Sequence, residues 1–193
     1  MSEKSDNSEA LSLWHLQSEM LINHGVDLIN RSFCINGDID NKLFETVDTK
    51  LSLIEREGDG PITIKLNSAG GDPYGAWAVV SRMKASKCKI IVEGHGSVAS
   101  AATMILAAGD IKRVSRYCTI MFHESSIEEF GGKLSDMKDM VFALEREEKM
   151  YVEFLARASK KPSKFWANMI QSKRDTYLTA HELLKMGIID EVF

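Results

Sequence analysis

The chain has 193 residues, a length that one domain accommodates, and its 44% hydrophobic and 27% charged content can support a real core. A net charge of −4 and a pI near 5.8, with no cluster of Lys and Arg, argue against a nucleic-acid-binding surface. Cys34, Cys88 and Cys118 are odd in number and widely spaced, which disfavours a disulfide framework or a zinc site and reads as three buried thiols in a reducing compartment.

Residues 1–8 are polar and read as a disordered tail without a secretory leader, and residues 9–193 read as the folded domain. No apolar span approaches the roughly 18 residues that a membrane helix needs. The expectation is a cytoplasmic protein that engages neither membrane nor nucleic acid. From Glu9 to about Asn23, Leu11, Leu13, Trp14, Leu16, Met20 and Leu21 repeat at three and four residues, a helix with an apolar face broad enough for its own domain or for a partner chain.

Arg31 to Asn36 reads as a strand. Asp40 then caps a helix whose stripe is Leu43, Val47, Leu51 and Ile54, ended by Gly58 to Pro61. Ile62 to Leu66 alternates as a strand, and Asn67-Ser-Ala-Gly-Gly-Asp72 forms a turn whose glycines permit positive φ and close backbone approach. Pro73 opens a helix to about Ala85, and Cys88 to Glu93 is the next strand. Lys112 to Ser115 and Cys118 to Phe122 are two more. This alternation predicts an α/β fold on a mainly parallel sheet, with its site beyond the carboxyl ends of the strands.

Leu134 to about Ala158 is a long helical stretch with Met137, Val141, Leu144, Met150 or Tyr151, and Phe154 on one face. It lacks sustained heptads and reads as a protruding helix that meets another subunit. Ser163 to Ser172 is a shorter helix. Thr179 to Glu182 is a capping box opening the helix Ala180–Met186, Gly187 stops it, and Ile188 to Val192 is a last strand.

The chemistry converges on the stretch from Gly94 to Gly109, which runs from a strand through small residues into a short helix. Ser100 sits at the bend, with the Ala101 N–H in the first helical turn, where unpaired donors can receive an oxyanion. A serine nucleophile also needs a base, and the base needs an orienting group. His123, at the end of its strand, is the candidate base and Asp175 the candidate carboxylate; Gly71 and Ala101 supply the N–H groups of an oxyanion hole. Taken singly, each has a structural reading: a tight strand-to-helix turn, a packed strand-end histidine, a surface ion pair or cap. His95 and Ser97 lie before the turn and read as strand-end packing.

Together, Asn67-Ser-Ala-Gly-Gly71, Gly96-Ser-Val-Ala-Ser-Ala101 with Leu106-Ala-Ala-Gly109, Ile120-Met-Phe-His123 and Arg174-Asp-Thr-Tyr-Leu-Thr-Ala180 resemble the motifs of ClpP, the ATP-dependent Clp protease proteolytic subunits. The resemblance runs from about Asn23 to Phe193. It implies a crotonase-like ββα spiral with the long helix as a handle, and a serine endopeptidase that cleaves unfolded polypeptides with Ser100, His123 and Asp175. It also implies heptameric rings, single or stacked in pairs, fed by a Clp-type AAA+ unfoldase that alone uses ATP, with no metal or cofactor in the subunit. Substrate would bind at Gly70, Asp72, Glu124 and Ser125, pairing as an added strand with the loop from Glu124 to Lys133.

This chain departs from the family pattern at three places. Ala69 replaces the usual Pro of Ser-Pro-Gly-Gly, Ser125 replaces a Pro after the histidine, and Lys173 replaces an acid that pairs with the facing ring. Two alternatives share the scaffold: an assembly subunit with little proteolytic activity, and an acyl-CoA enzyme of the enoyl-CoA hydratase kind. A Ser-Lys dyad has no lysine where His123 stands.

Overall fold

Residues 14–126 and 132–193 are described by a computed structural model. Helix α1 covers residues 14–24. It is followed by β1 (Val26–Asp27), β2 (Ser32–Asn36), α2 (Leu43–Arg56), β3 (Ile62–Ser68), α3 (Pro73–Lys84), β4 (Ile90–Ala99) and α4 (Ala102–Ala108). The second half contains β5 (Ile111–Val114), β6 (Thr119–Phe122), α5 (Leu134–Ala158), α6 (Ser163–Ile170), β7 (Thr176–Leu178), α7 (Ala180–Met186) and β8 (Glu191–Val192). The expected tail, residues 1–8, and the start of the first helix lie outside the described residues.

Alternation builds the sheet. In β3, Ile62, Ile64, Leu66 and Ser68 are buried while Lys65 and Asn67 face outward. The strands run in the order β1-β2-β3-β4-β5-β8, and all neighbours after the antiparallel β1–β2 pair are parallel. Beyond Glu93, β4 continues past β5 and pairs its last residues, Ser97–Ala99, with β6, which in turn pairs antiparallel with β7. The result is an α/β fold on a mixed, mainly parallel sheet.

Helix α2 buries Val47, Leu51 and Ile54 of the expected stripe, with Leu43 partly buried, and all seven residues of α4 are buried between the sheet, α3 and α5. Each fully buried Leu, Ile or Val contributes about 1.5–3 kcal/mol relative to exposure. Thr179 and Glu182 make the reciprocal capping box, and Gly187 closes α7 at φ 71°, a left-handed C-cap. The sequence expectation for α5 matches its bounds. Its N-terminal stretch, Leu134 to Phe142, is exposed, and its C-terminal half docks through Tyr151, Val152 and Leu155.

Several expectations are corrected. Cys34 is exposed, because it sits on the outer face of β2 between buried Phe33 and Ile35; Cys88 and Cys118 are buried, and all three are free thiols. The strand expected from Cys88 to Glu93 is β4, which does not stop at Glu93 but runs to Ala99, and the last strand is reduced to Glu191–Val192 after buried Ile188 and Ile189. On α1, Trp14, Leu16, Leu21 and Ile22 are exposed. No described helix is long and apolar enough to cross a membrane.

Candidate active site

Strands β3, β4 and β6 end near one another, and the candidate groups lie just beyond those ends: Ser100 and His123 directly after β4 and β6, and Gly70 and Gly71 shortly after β3. After β3 the chain turns through Gly70 and Gly71 at φ 103° and 136°, values that only glycine adopts easily. The approach is also sterically closed. A Cβ on Gly70 would lie 2.7 Å from Ser100 Cβ and 2.8 Å from the Ala99 carbonyl oxygen, and one on Gly71 would lie 2.3 Å from the Ile39 oxygen. The turn is fixed by Ile39 N–H donating to Gly70 O and Asp72 N–H donating to Ile39 O, both at 2.8 Å.

After β4, Ser100 takes φ 53°, a left-handed conformation costing a non-glycine residue roughly 1–3 kcal/mol. Its surroundings over-determine that conformation. Ser100 N–H donates to Met121 O at 2.9 Å, and its carbonyl accepts from Thr103 N–H at 3.0 Å and from Thr103 Oγ1 at 2.6 Å. Thr103 Oγ1 is in turn hydrogen-bonded to the buried hydroxyl of Tyr151 on α5. Because the threonine proton is used toward Ser100, Tyr151 is the donor of that pair. Helix α5 is thus tied to the serine turn. Among the described residues, neither Gly71 N–H nor Ala101 N–H makes a backbone hydrogen bond.

His123 follows β6, and Asp175 precedes β7. The antiparallel register pairs Phe122 with Thr176, which brings His123 and Asp175 opposite one another. His123 Nε2 lies 2.7 Å from Ser100 Oγ. A serine hydroxyl donating to Nε2 requires the neutral tautomer with its proton on Nδ1, the nitrogen facing Asp175. The Nδ1 to Asp175 Oδ1 distance is 3.9 Å, beyond hydrogen-bond range, and half of the Asp175 side chain is exposed.

A cavity of about 510 Å³ opens beside Ser100, His123, Gly71 and Ala101. Its other walls include Met104, Ser125, Ser126, Leu144, Glu147 and Tyr151. Burial raises the Glu147 carboxyl above its ordinary range, offset in part by hydrogen bonds from Trp77 and Ser125; burial likewise raises the Tyr151 phenol. A larger hollow, about 860 Å³, lies between α1 and α2 and contains none of these residues.

The expected substrate-binding positions are spread around this centre. Ser125 lines the cavity. Gly70 packs under Ser100, and Glu124 is exposed. Asp72 caps α3, accepting from Tyr74 N–H at 3.0 Å and Gly75 N–H at 3.2 Å. Of the loop from Glu124 to Lys133, residues 127–131 fall outside the described residues. Among the described residues, no three His, Cys, Asp or Glu side chains are grouped to hold a metal. His95 and Ser97 lie within β4: the His95 ring meets Phe193 edge-on at 5.5 Å, and Ser97 N–H donates to Asn67 Oδ1 at 3.0 Å.

The sequence motifs do not single out Thr103, Glu147 or Tyr151 as neighbours of the site. For Glu147 a signal is present, since it is a charged residue between Leu144 and Tyr151 on the apolar stripe of α5.

The Clp protease family model matches residues 19–193. An ATP-dependent Clp protease proteolytic subunit 2 from Corynebacterium jeikeium is 30% identical over 151 residues, covering 76% of this chain and 71% of that protein. A proteolytic subunit 1 from Corynebacterium glutamicum is 27% identical over 166 residues, covering 84% and 79%. A ClpP1 mutant from Listeria monocytogenes shares the fold with a TM-score of 0.78 at 24% identity, covering 86% of this chain and 92% of its own. With the family model spanning nearly the whole described structure, the chain belongs to the Clp protease family.

Proposed function

We propose that Ser100, His123 and Asp175 are the catalytic groups of this serine endopeptidase and that it hydrolyses unfolded polypeptides through an acyl-enzyme. The observation that carries this reading is the 2.7 Å approach of His123 Nε2 to the hydroxyl of a serine held at φ 53°. Ser100 Oγ attacks the peptide carbonyl carbon while its proton passes to His123 Nε2. The carbonyl oxygen becomes an oxyanion received by the Gly71 and Ala101 N–H groups, a stabilisation of about 3–4 kcal/mol per strong donor. His123 then gives its proton to the leaving amine, the C–N bond breaks, and the acyl group remains on Ser100 as an ester. Water repeats the sequence: its proton goes to His123, the ester C–O bond breaks, and the proton returns to Ser100 Oγ. Asp175 holds the imidazole and favours its cation.

Family membership supports a further reading. The scaffold is a crotonase-like spiral in which residues 9–193 form the protease domain. Heptameric rings assemble through the handle α5, and a Clp-type AAA+ unfoldase spends the ATP that feeds the chamber. The mechanism calls on side chains and backbone alone, without a metal or cofactor. Cleavage of a short fluorogenic peptide and of unfolded casein by the isolated protein tests this reading, with Ser100→Ala as control and ring size read by electron microscopy. The expected result is peptide cleavage that Ser100→Ala abolishes while leaving assembly intact; cleavage retained in that variant would overturn the assignment.

One observation favours a second reading. The 3.9 Å gap between His123 and Asp175, together with Lys173 at φ 59° beside Arg174, fits a chain whose triad closes only on assembly. Activity that rises more steeply than protomer concentration would support it, and a constant specific activity across the assembly transition would exclude it.

A further inference from the structure

The cavity beside Ser100 contains one group that the acyl-transfer chemistry does not use. Glu147, on the docked half of α5, is only 6% exposed, yet its carboxylate lines that cavity. Its Oε1 accepts from Trp77 Nε1 at 3.0 Å, and its Oε2 lies 3.5 Å from Ser125 Oγ, the outer limit of a hydrogen bond. Among the described residues no Lys, Arg or His nitrogen comes within 4.0 Å of it. Ser125 and Ser126 on the loop add hydroxyls beside it, while Met104, Met121 and Leu144 make an apolar wall along which the methylenes of a long side chain can lie. A carboxylate removed from water is costly unless a cation or a full set of donors meets it, and here one oxygen has only a long contact.

Geometry gives the missing cation a source. With the scissile carbonyl at Ser100 Oγ and its oxygen toward the Gly71 and Ala101 N–H groups, the side chain on that carbonyl's own residue is the substrate group attached nearest the cavity. We propose that Glu147 makes this cavity a specificity pocket for a long cationic side chain, Lys or Arg, on the residue that donates the cleaved carbonyl. The proposal rests on the serine-peptidase reading of Ser100. A guanidinium or ammonium entering the pocket gives Oε2 a charge-assisted partner, stronger than a neutral hydrogen bond. An apolar side chain leaves the carboxylate desolvated and unpaired, and an acidic one adds repulsion; a pocket built around a polar partner rejects the analogue that lacks it.

The test compares peptides identical except at that residue, carrying Arg, Lys, Leu or Glu, cleaved by the assembled protein. The expected kcat/KM for Arg or Lys exceeds that for Leu by roughly tenfold or more, with Glu poorest. Glu147→Gln and Glu147→Leu each reduce the Arg-to-Leu ratio by about tenfold. A measurement on the unaltered protein avoids dependence on variant folding: benzamidine, a guanidinium-like cation, should protect Ser100 from a fluorophosphonate probe. A preference for Leu, an Arg-to-Leu ratio unmoved in Glu147→Gln, or labelling indifferent to benzamidine would overturn the role of Glu147. If Ser100 is labelled and peptides are cut without regard to charge, only this proposal falls. If Ser100 is not labelled and no peptide is cut, the serine-peptidase reading falls with it.

Discussion

Gly71→Ala places the sharpest demand on the geometry around Ser100. The position has φ 136°, and a Cβ there would meet Ile39 O at 2.3 Å, Ile39 N at 3.0 Å and Ile39 C at 3.1 Å. The φ alone costs an alanine roughly 1–3 kcal/mol. Ordinary Cβ contacts begin at 3.4 Å, so the turn must retreat from Ile39 by about 1 Å (3.4 − 2.3), and Ile39 is held to it by two backbone hydrogen bonds. A displacement of about 1 Å in groups that orient the reacting carbonyl costs on the order of 100-fold in rate. Gly37→Ala separates strain from displacement, because Gly37 has φ 97° but a Cβ added there would meet nothing within 4 Å. The assay is fluorogenic peptide cleavage at matched protomer concentration, with thermal unfolding of both variants. Both should lose stability, while only Gly71→Ala loses about two orders of magnitude in kcat/KM. Equal activity loss in the two variants, or an active Gly71→Ala, would refute the claim that this turn positions an oxyanion donor.

Two further outcomes follow from α5. Thr103→Val strands the buried Tyr151 hydroxyl and should cost about 1–3 kcal/mol, whereas adding Tyr151→Phe removes both partners, so the double variant should fall short of the sum by about 1 kcal/mol in urea unfolding; strict additivity would contradict the Thr103–Tyr151 hydrogen bond. Glu147 sets a pH dependence of stability. Burial raises its carboxyl above 4.5, with Glu148 adding to the rise and Trp77 and Ser125 opposing it. Above pH 4.5, up to the raised value, the folded chain keeps a proton that the unfolded chain has released, so this group's contribution to stability falls as pH rises. The melting temperature of Glu147→Gln relative to the unaltered protein should therefore increase with pH across that window, and a constant difference would contradict the burial argument.

Local chemistry is readable where a residue's own neighbours decide its structure. The capping box of Thr179 and Glu182 needs only four residues, and α5 declares itself through periodicity sustained over its full length. The Gly70–Gly71 turn and the bend at Ser100 are likewise visible, because glycine and small residues mark close backbone approach. Pairing between distant strands is not. The small residues from Gly94 to Ser97 look like the end of a strand that stops at Glu93, yet they stay in β4 because that strand is bordered by β3, β5 and β6, and the sheet overrides a weak local preference. Gly96, at φ 54°, makes room for the Asn67 side chain within that strand. β1 and β7 are two and three residues long, too short for alternation to register. β7 nevertheless places Asp175 opposite His123, so the order of the proposed triad can be read from motifs while the 3.9 Å spacing of this pair cannot. Tyr151 and Thr103 lie 48 residues apart, and nothing in either local sequence announces their hydrogen bond.

The central claim is that Ser100 is a nucleophile activated by His123. Fluorophosphonate labelling of the assembled protein, with the modified residue located by mass spectrometry and His123→Ala as the comparison, tests it most directly. A single adduct on Ser100 whose rate of formation collapses in His123→Ala is the expected result. An adduct on Ser97 or another serine, or labelling of Ser100 at the same rate without His123, would contradict it.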